Sequence, residues 1–447
     1  MRFKDYLNKG SERSILLKKN IAGSVLVKGA DTIVGMLLVP VTLGYLNQYE
    51  YGIWLTLYSL LSWINTFDIG LSNGLRNKLA EAIANNDKSK AREYVSTTVV
   101  MLIGIALLLV IALSGVVWGL DWYSILNVDN TTVTNLTKII YFSLCLFCFN
   151  FAFKFVGSVY QALQYPVVNS VLSLTGHTLS LIAIWISSKL FSSNLMIVAL
   201  IYSSAYPLVY LISYPVTFHK LYPYLSPSIN FFRKDYIKEL LSISLLFFLI
   251  QIAGIILFSL TNLIISHNFG PDKVTPYDIA YKYYYIPVML FNLLIVPVWS
   301  AVTDAYTKGE LEWIKNINHK LIKVLVAIAF LLLFMTLFSQ VVFNLWVGES
   351  VDIPFSLCIL MSIYIFLIIV STSYSFLLNG MGMVKLQAIN TVIVAVAFYP
   401  VCMWCIGLWG IEGILIGMCL CNISGVVLNI IQYYKVVGQR AKGIWTK

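Results

Sequence analysis

The sequence predicts an all-α polytopic membrane protein of about 12 transmembrane helices, set out as two six-helix bundles around a central cavity. Three observations carry that expectation. The 447 residues are 59% hydrophobic and 11% charged, with a mean hydropathy of +0.82, whereas soluble domains carry about a quarter charged residues. Apolar runs of roughly 20 residues, the length that crosses a hydrocarbon core, recur along the whole chain. The lysines and arginines lie in short connections between those runs and form no separate basic domain. The net charge of +10 therefore reads as positive charge on one side of a bilayer, and no nucleic-acid partner is implied.

Taken in order, the first half holds spans near 20–46, 50–72, 93–118, 136–160, 166–188 and 195–217. The second holds spans near 237–266, 277–303, 318–344, 353–378, 384–408 and 411–435. Residues 1–217 are expected to form one bundle, 218–236 a cytoplasmic linker, and 237–447 the second bundle. Three connections are longer than a tight turn: Asn73–Arg92, Asp121–Asn135 and Phe218–Tyr236. Met1 to Asn20 is polar and basic, without the apolar core of a cleavable signal, so the first span is expected to direct insertion. Of the 30 lysines and arginines, 24 fall on the N-terminus, the even-numbered connections and the C-terminus, while the opposite side holds only Lys138, Lys189 and Lys273. That bias predicts both termini in the cytoplasm.

A faint internal repeat supports two halves of like orientation. Gly44, six residues and Tyr51-Gly52-Ile53 are echoed by Gly270, six residues and Tyr277-Asp278-Ile279. Each stretch follows the first helix of a six-helix set, and six is even, so an axis along the membrane normal can relate the halves.

The end of the second span carries the most distinctive string, Phe67-Asp68-Ile69-Gly70-Leu71-Ser72-Asn73-Gly74-Leu75-Arg76-Asn77-Lys78-Leu79-Ala80-Glu81-Ala82. Asp68 stands at the membrane edge, and Gly70 and Gly74, four apart, allow a neighbouring backbone to come close. Arg76, Asn77 and Lys78 anchor the segment in a polar, basic loop. This string resembles one found after the second transmembrane helix of bacterial polysaccharide flippases, the O-antigen-type exporters of the MATE-like superfamily. The span number and loop pattern of the chain resemble theirs over nearly its whole length.

Ionisable groups inside the bilayer cost about 2.5–3.5 kcal/mol each at mid-span, so each asks for a partner or a wet cavity. Lys28 and Asp31 lie three apart on one face of the first helix, and Asp278 and Lys282 lie four apart on the eighth. Lys154 sits on the fourth. Each neighbouring couple can be a local ion pair, and Lys154 can reach the inner surface. Lys28 lies too deep for that, and a water-filled cavity between the halves is its expected home. Cations in a cavity imply an anionic cargo. The resemblance makes that cargo an oligosaccharide on an undecaprenyl pyrophosphate carrier, with Lys28, Lys154 and Lys282 drawing in the pyrophosphate. Tyr281, Tyr283, Tyr284 and Tyr285 around Lys282 could stack on sugars or simply form an interfacial belt.

Chemistry of other kinds finds little support. The seven cysteines, Cys145, Cys148, Cys358, Cys402, Cys405, Cys419 and Cys421, all lie in apolar segments and read as small core residues. His177, His219, His267 and His319 are scattered, and no phosphate-binding glycine loop or nucleophile elbow is present. No catalytic residue, metal or cofactor is expected. Turnover would then draw on an ion gradient or on the cargo's own gradient, with Asp31 and Asp68 as proton or sodium groups.

The resemblance implies a flippase that moves a lipid-linked oligosaccharide to the outer leaflet of the plasma membrane for lipopolysaccharide assembly. A polysaccharide polymerase and glycosyltransferases would be its partners, and the chain would act as a monomer. A multidrug antiporter of the same fold is the first alternative, against which three intramembrane lysines argue. A membrane polymerase or ligase is the second, against which the short external loops argue. A non-transporting scaffold would have no use for buried charge.

Overall fold

The computed structural model describes residues 12–67, 71–241 and 260–446. Two compact units emerge, Met1–Gln251 and Ile252–Lys447. Among the described residues all regular structure is helical, and nine helices are long and apolar enough to cross a membrane.

In the first unit, α1 (Glu12–Tyr45) runs 34 residues, about 51 Å at 1.5 Å per residue. Asn47 ends the turn that follows, its side chain accepting from the Glu50 amide at 2.8 Å, and starts α2 (Gln48–Leu61). The sequence predicts one span to residue 72, but α2 tightens into a 3₁₀ stretch over Ser62–Thr66. Serine hydroxyls drive the change: Ser59 donates to the Thr56 carbonyl and Ser62 to that of Ser59, at 2.8 and 2.7 Å, competing with the helical ladder. Helix α3 (Leu71–Ala84) follows; Asp68 and Gly70 lie outside the described residues. Asp87 caps α4 (Lys88–Gly119) and Asp121 caps the short α5 (Trp122–Leu126).

The expected fourth span is two helices, α6 (Leu136–Phe153) and α7 (Phe155–Ala162), with Lys154 at the joint. Pro166 opens α8 (Pro166–Leu190), a position where its missing N–H costs nothing. Helix α9 (Leu195–Pro215) passes into a π-helical turn, Val216–Leu221, directly after Pro215. Two 3₁₀ turns and α10 (Asp235–Leu241) complete what is described of the unit. Its packing is led by α1 along α8 and α6 along α9, around Trp54, Phe151 and Phe155.

The second unit begins with helical residues 260–269. Gly270 turns the chain at φ 94° into a 3₁₀ step and α11 (Val274–Thr307). Its sequence echo, Gly44, lies inside α1, so the two stretches differ in backbone: Asn47 makes the turn in one and Gly270 in the other. Then come α12 (Leu311–Leu337), α13 (Ser339–Val347), α14 (Phe355–Gly380), α15 (Lys385–Trp409) and α16 (Glu412–Val437). Helix α16 packs on both α14 and α15, and α11 on α14. Cys358, Cys402, Cys405, Cys419 and Cys421 are buried free thiols of this core.

Candidate functional site

Lys154 stands at the joint between α6 and α7. The Lys154 ammonium donates to the Asn65 carbonyl at 2.7 Å, in the 3₁₀ stretch after α2, and stands 4.9 Å from the centre of the Phe151 ring. It lies on the wall of a cavity of about 310 Å³ within the first unit. Tyr58, Tyr202, Tyr206 and Tyr210 line the same space, as do Asn150 and Ser203. Ring packing fixes the aromatic wall: Trp54 lies 5.3 Å from Tyr202, and Tyr58 meets Phe147 edge-on at 5.8 Å. Asn150 Oδ1 and Ser203 Oγ are buried with no hydrogen-bond partner among the described residues.

A second charged group stands behind that wall. Asp31 of α1 meets His177 Nδ1 at 2.6 Å and accepts from the Ser173 hydroxyl at 3.2 Å, both on α8. The pair is partly shielded, with side-chain exposures of 21% and 27%, so it is weakly screened by water. His177 points edge-on at the Tyr206 ring, 5.4 Å between centroids. Gly176 lets Tyr206 sit flush on α8, because a Cβ there would lie 2.9 Å from the ring. One tyrosine therefore touches both the Asp31–His177 pair and the Lys154 cavity.

Lys28 is exposed on α1, and no ion pair joins it to Asp31. The three-residue spacing puts the two on one face, but His177, 146 positions away, reaches Asp31 from the helix packed against it. His177, Asn150, Ser203 and Tyr206 escaped the sequence reading. The signal for His177, a lone imidazole inside a span, was visible in the sequence but had no partner assigned.

In the second unit the charge stays local. Lys282 and Asp278 pair at 2.5 Å one turn apart on α11, as their spacing allows. Beside them Tyr277, Tyr281 and Tyr285 stack at 6.3 and 5.3 Å, while Tyr277 is buried with its hydroxyl on the Met418 sulfur. This unit has its own cavity, about 120 Å³, lined by neutral groups including Tyr364, Ser371, Asn390, Thr391 and Asn422.

The glycine-rich string also acquires a structural setting. A Cβ on Gly74 would lie 2.2 Å from the Leu240 carbonyl oxygen, so α10 rests directly on the α3 backbone. Around that seat the segment before α10 is fastened to α4. Tyr94 donates to Glu239 at 2.8 Å, Arg233 pairs with Glu93 at 3.1 Å, and the Ser228 amide donates to Ser96 at 3.1 Å. Arg92 donates to the Ser226 carbonyl and stacks on Phe231. Arg76 and Asn77 are exposed on α3, which also carries Asn73.

Long apolar helices with charges held among them define a multi-pass membrane protein, and its fold is that of the MATE-like MOP exporters. The chain superposes with a TM-score of 0.75 on the inward-facing conformation of a multidrug resistance MATE family transporter of the MOP superfamily, at 13% identity, covering 94% of this chain and 100% of that one. A MOP superfamily transporter from Pyrococcus furiosus gives 0.61 at 15% identity, over 98% of this chain and 99% of that one. Residues 17–301 match the family described as Polysaccharide biosynthesis protein, and the chain belongs to that family. Curated relatives include a protein named for O-antigen export in Yersinia pseudotuberculosis, 24% identical over 78% of this chain and 79% of that one. Another, named for O-antigen transport in Salmonella typhimurium, is 21% identical over 83% and 86%. These relatives are transporters rather than enzymes.

Proposed function

We propose that this transporter flips an undecaprenyl pyrophosphate-linked oligosaccharide from the inner to the outer leaflet of the plasma membrane, by alternating access, for surface polysaccharide assembly. The observation that carries the reading is Lys154, a cation on the wall of a polar, tyrosine-lined cavity in a chain of the polysaccharide biosynthesis family. Its ammonium draws the pyrophosphate, and the phenols and amides around it meet the glycan. Lys282 is already neutralised by Asp278, and exposed Lys28 adds attraction at longer range. Asp31 with His177 is the coupling group, a polar contact shared between α1 and α8 that a shift of one helix against the other can break or remake. The charge bias supports an inner-membrane topology with both termini cytoplasmic. A cationic cavity disfavours the multidrug antiporter, whose cargo is itself cationic.

The test uses proteoliposomes loaded with a pyrophosphate-linked glycolipid. Two negative charges leaving a negative interior gain about 4.6 kcal/mol per 100 mV. Outward movement should therefore accelerate when an inside-negative potential is imposed, and Lys154→Met should slow it roughly 10- to 100-fold. A flipping rate no faster than in protein-free liposomes would overturn the reading.

A further inference from the structure

The unit-one cavity holds two buried oxygens that nothing among the described residues satisfies, Asn150 Oδ1 and Ser203 Oγ. Unpaired buried polar atoms cost about 1–3 kcal/mol each; Asn150 and Ser203, which carry these two, both line the cavity, so a ligand that enters can supply the missing partners. Their chemistry limits what that is. A carboxamide oxygen only accepts, so its partner brings an O–H or N–H. A serine hydroxyl can donate or accept. Asn150 stands in the last turn of α6 and Lys154 caps that turn, its amide donating to the Asn150 carbonyl at 3.0 Å. The two side chains thus leave the backbone about 6 Å apart along the axis. Ser203 and Tyr206 face them from α9.

An ammonium beside a hydroxyl-seeking acceptor fits a ligand that carries an anion and a hydroxyl at short range. A sugar ring bearing a phosphate on its anomeric oxygen has that pattern. A bare phosphate held by Lys154 is too small to reach Asn150 as well, while a free sugar leaves Lys154 without an anion. The volume agrees: about 310 Å³ is roughly ten waters at ~30 Å³ each, room for one phosphorylated sugar, the end of the cargo that carries the phosphate. Flat tyrosine faces complete the fit, since sugar C–H edges pack on aromatic rings.

We infer that Asn150 is a specificity-determining residue of this cavity: its side-chain oxygen, with Ser203 opposite, accepts a hydroxyl of the sugar whose phosphate Lys154 holds. The inference rests on the flippase reading and assigns within it the atoms that tell a glycosyl phosphate from phosphate alone.

Soluble probes test it on the purified full-length protein in nanodiscs. Glucose 1-phosphate, galactose 1-phosphate, N-acetylglucosamine 1-phosphate and inorganic phosphate are titrated by calorimetry or by quenching of intrinsic fluorescence. The best sugar phosphate should bind about tenfold tighter than inorganic phosphate, the size of one well-made hydrogen bond. Asn150→Leu should remove that ratio and leave inorganic phosphate binding within about twofold. Ser203→Ala, a smaller change that keeps the packing, should lower the ratio about threefold, and Lys154→Met should weaken all four probes. A ratio that survives both Asn150→Leu and Ser203→Ala overturns the inference, as does a wild-type protein that takes no sugar phosphate better than phosphate. Failure of the flippase reading would look different: the probe ratio would stand while proteoliposomes moved no glycolipid.

Discussion

The two units hold their intramembrane charge in opposite ways. In the first, Lys154 is tied to Asn65 on another helix, and Asp31 is met by His177 and Ser173 across the α1–α8 packing. In the second, Lys282 pairs with Asp278 one turn away on its own helix, and the cavity of that unit is lined by neutral amides, hydroxyls and apolar groups. An ion pair within one helix survives any movement of that helix, because both partners travel together. A pair shared between helices reports on their packing and can be broken or remade when they shift. The first unit therefore holds charge in contacts that a shift between helices would change, while the second holds it within one helix.

Changes at three places sharpen or break that contrast. The largest effect belongs to Lys154→Met, which deletes the cation and leaves the Asn65 carbonyl without its donor. Charge-assisted hydrogen bonds contribute about 1.5–3 kcal/mol, so surface glycan in a cell relying on this transporter should fall roughly 10- to 100-fold with the protein still present in the membrane. Normal export by Lys154→Met would place the anion site elsewhere.

Next is His177. Replacing it by leucine leaves the Asp31 carboxylate with Ser173 alone, and the partly buried charge should cost about 1–3 kcal/mol in stability. His177→Gln restores a donor to Asp31. A thermal melt in detergent should show a clear drop for His177→Leu and recovery of most of it for His177→Gln. Equal melts for all three proteins would show that the cross-helix pair holds nothing together.

The smallest effect is expected for Asp278→Asn with Lys282→Gln. Removing both ends of a pair one turn apart changes stability by about 0.5 kcal/mol, and export should stay within about twofold of wild type. If the double variant loses export as fully as Lys154→Met, the second unit also uses its charge on cargo and the contrast between units collapses.

Part of this was decided by the sequence alone. Membrane residence follows from composition and run length, because no water is available in a bilayer to satisfy an exposed backbone and only continuous apolar helices or closed barrels can cross it. The Asp278–Lys282 pair follows from a four-residue spacing on one helix. Helix starts at Asn47, Asp87, Asp121 and Asn194 follow from side chains that cap their own helices. All of these depend on neighbours within one or two turns, which a sequence displays directly.

What the tertiary structure decided are the contacts between helices. Asp31 has Lys28 three residues away and binds His177 instead, because α8 packs against α1 and presents an imidazole at the right height. Gly74 was legible as a site of close approach, but that its visitor is the Leu240 carbonyl of α10 was not. Lys154 was visible as a cation, whereas the helix break that turns it into a cavity with Asn150 and Ser203 was not. In an apolar chain nearly every helix face is acceptable to lipid, so periodicity does not say which face meets protein. Only the packed helices bring together residues more than a hundred positions apart, and the polar groups they enclose make the site.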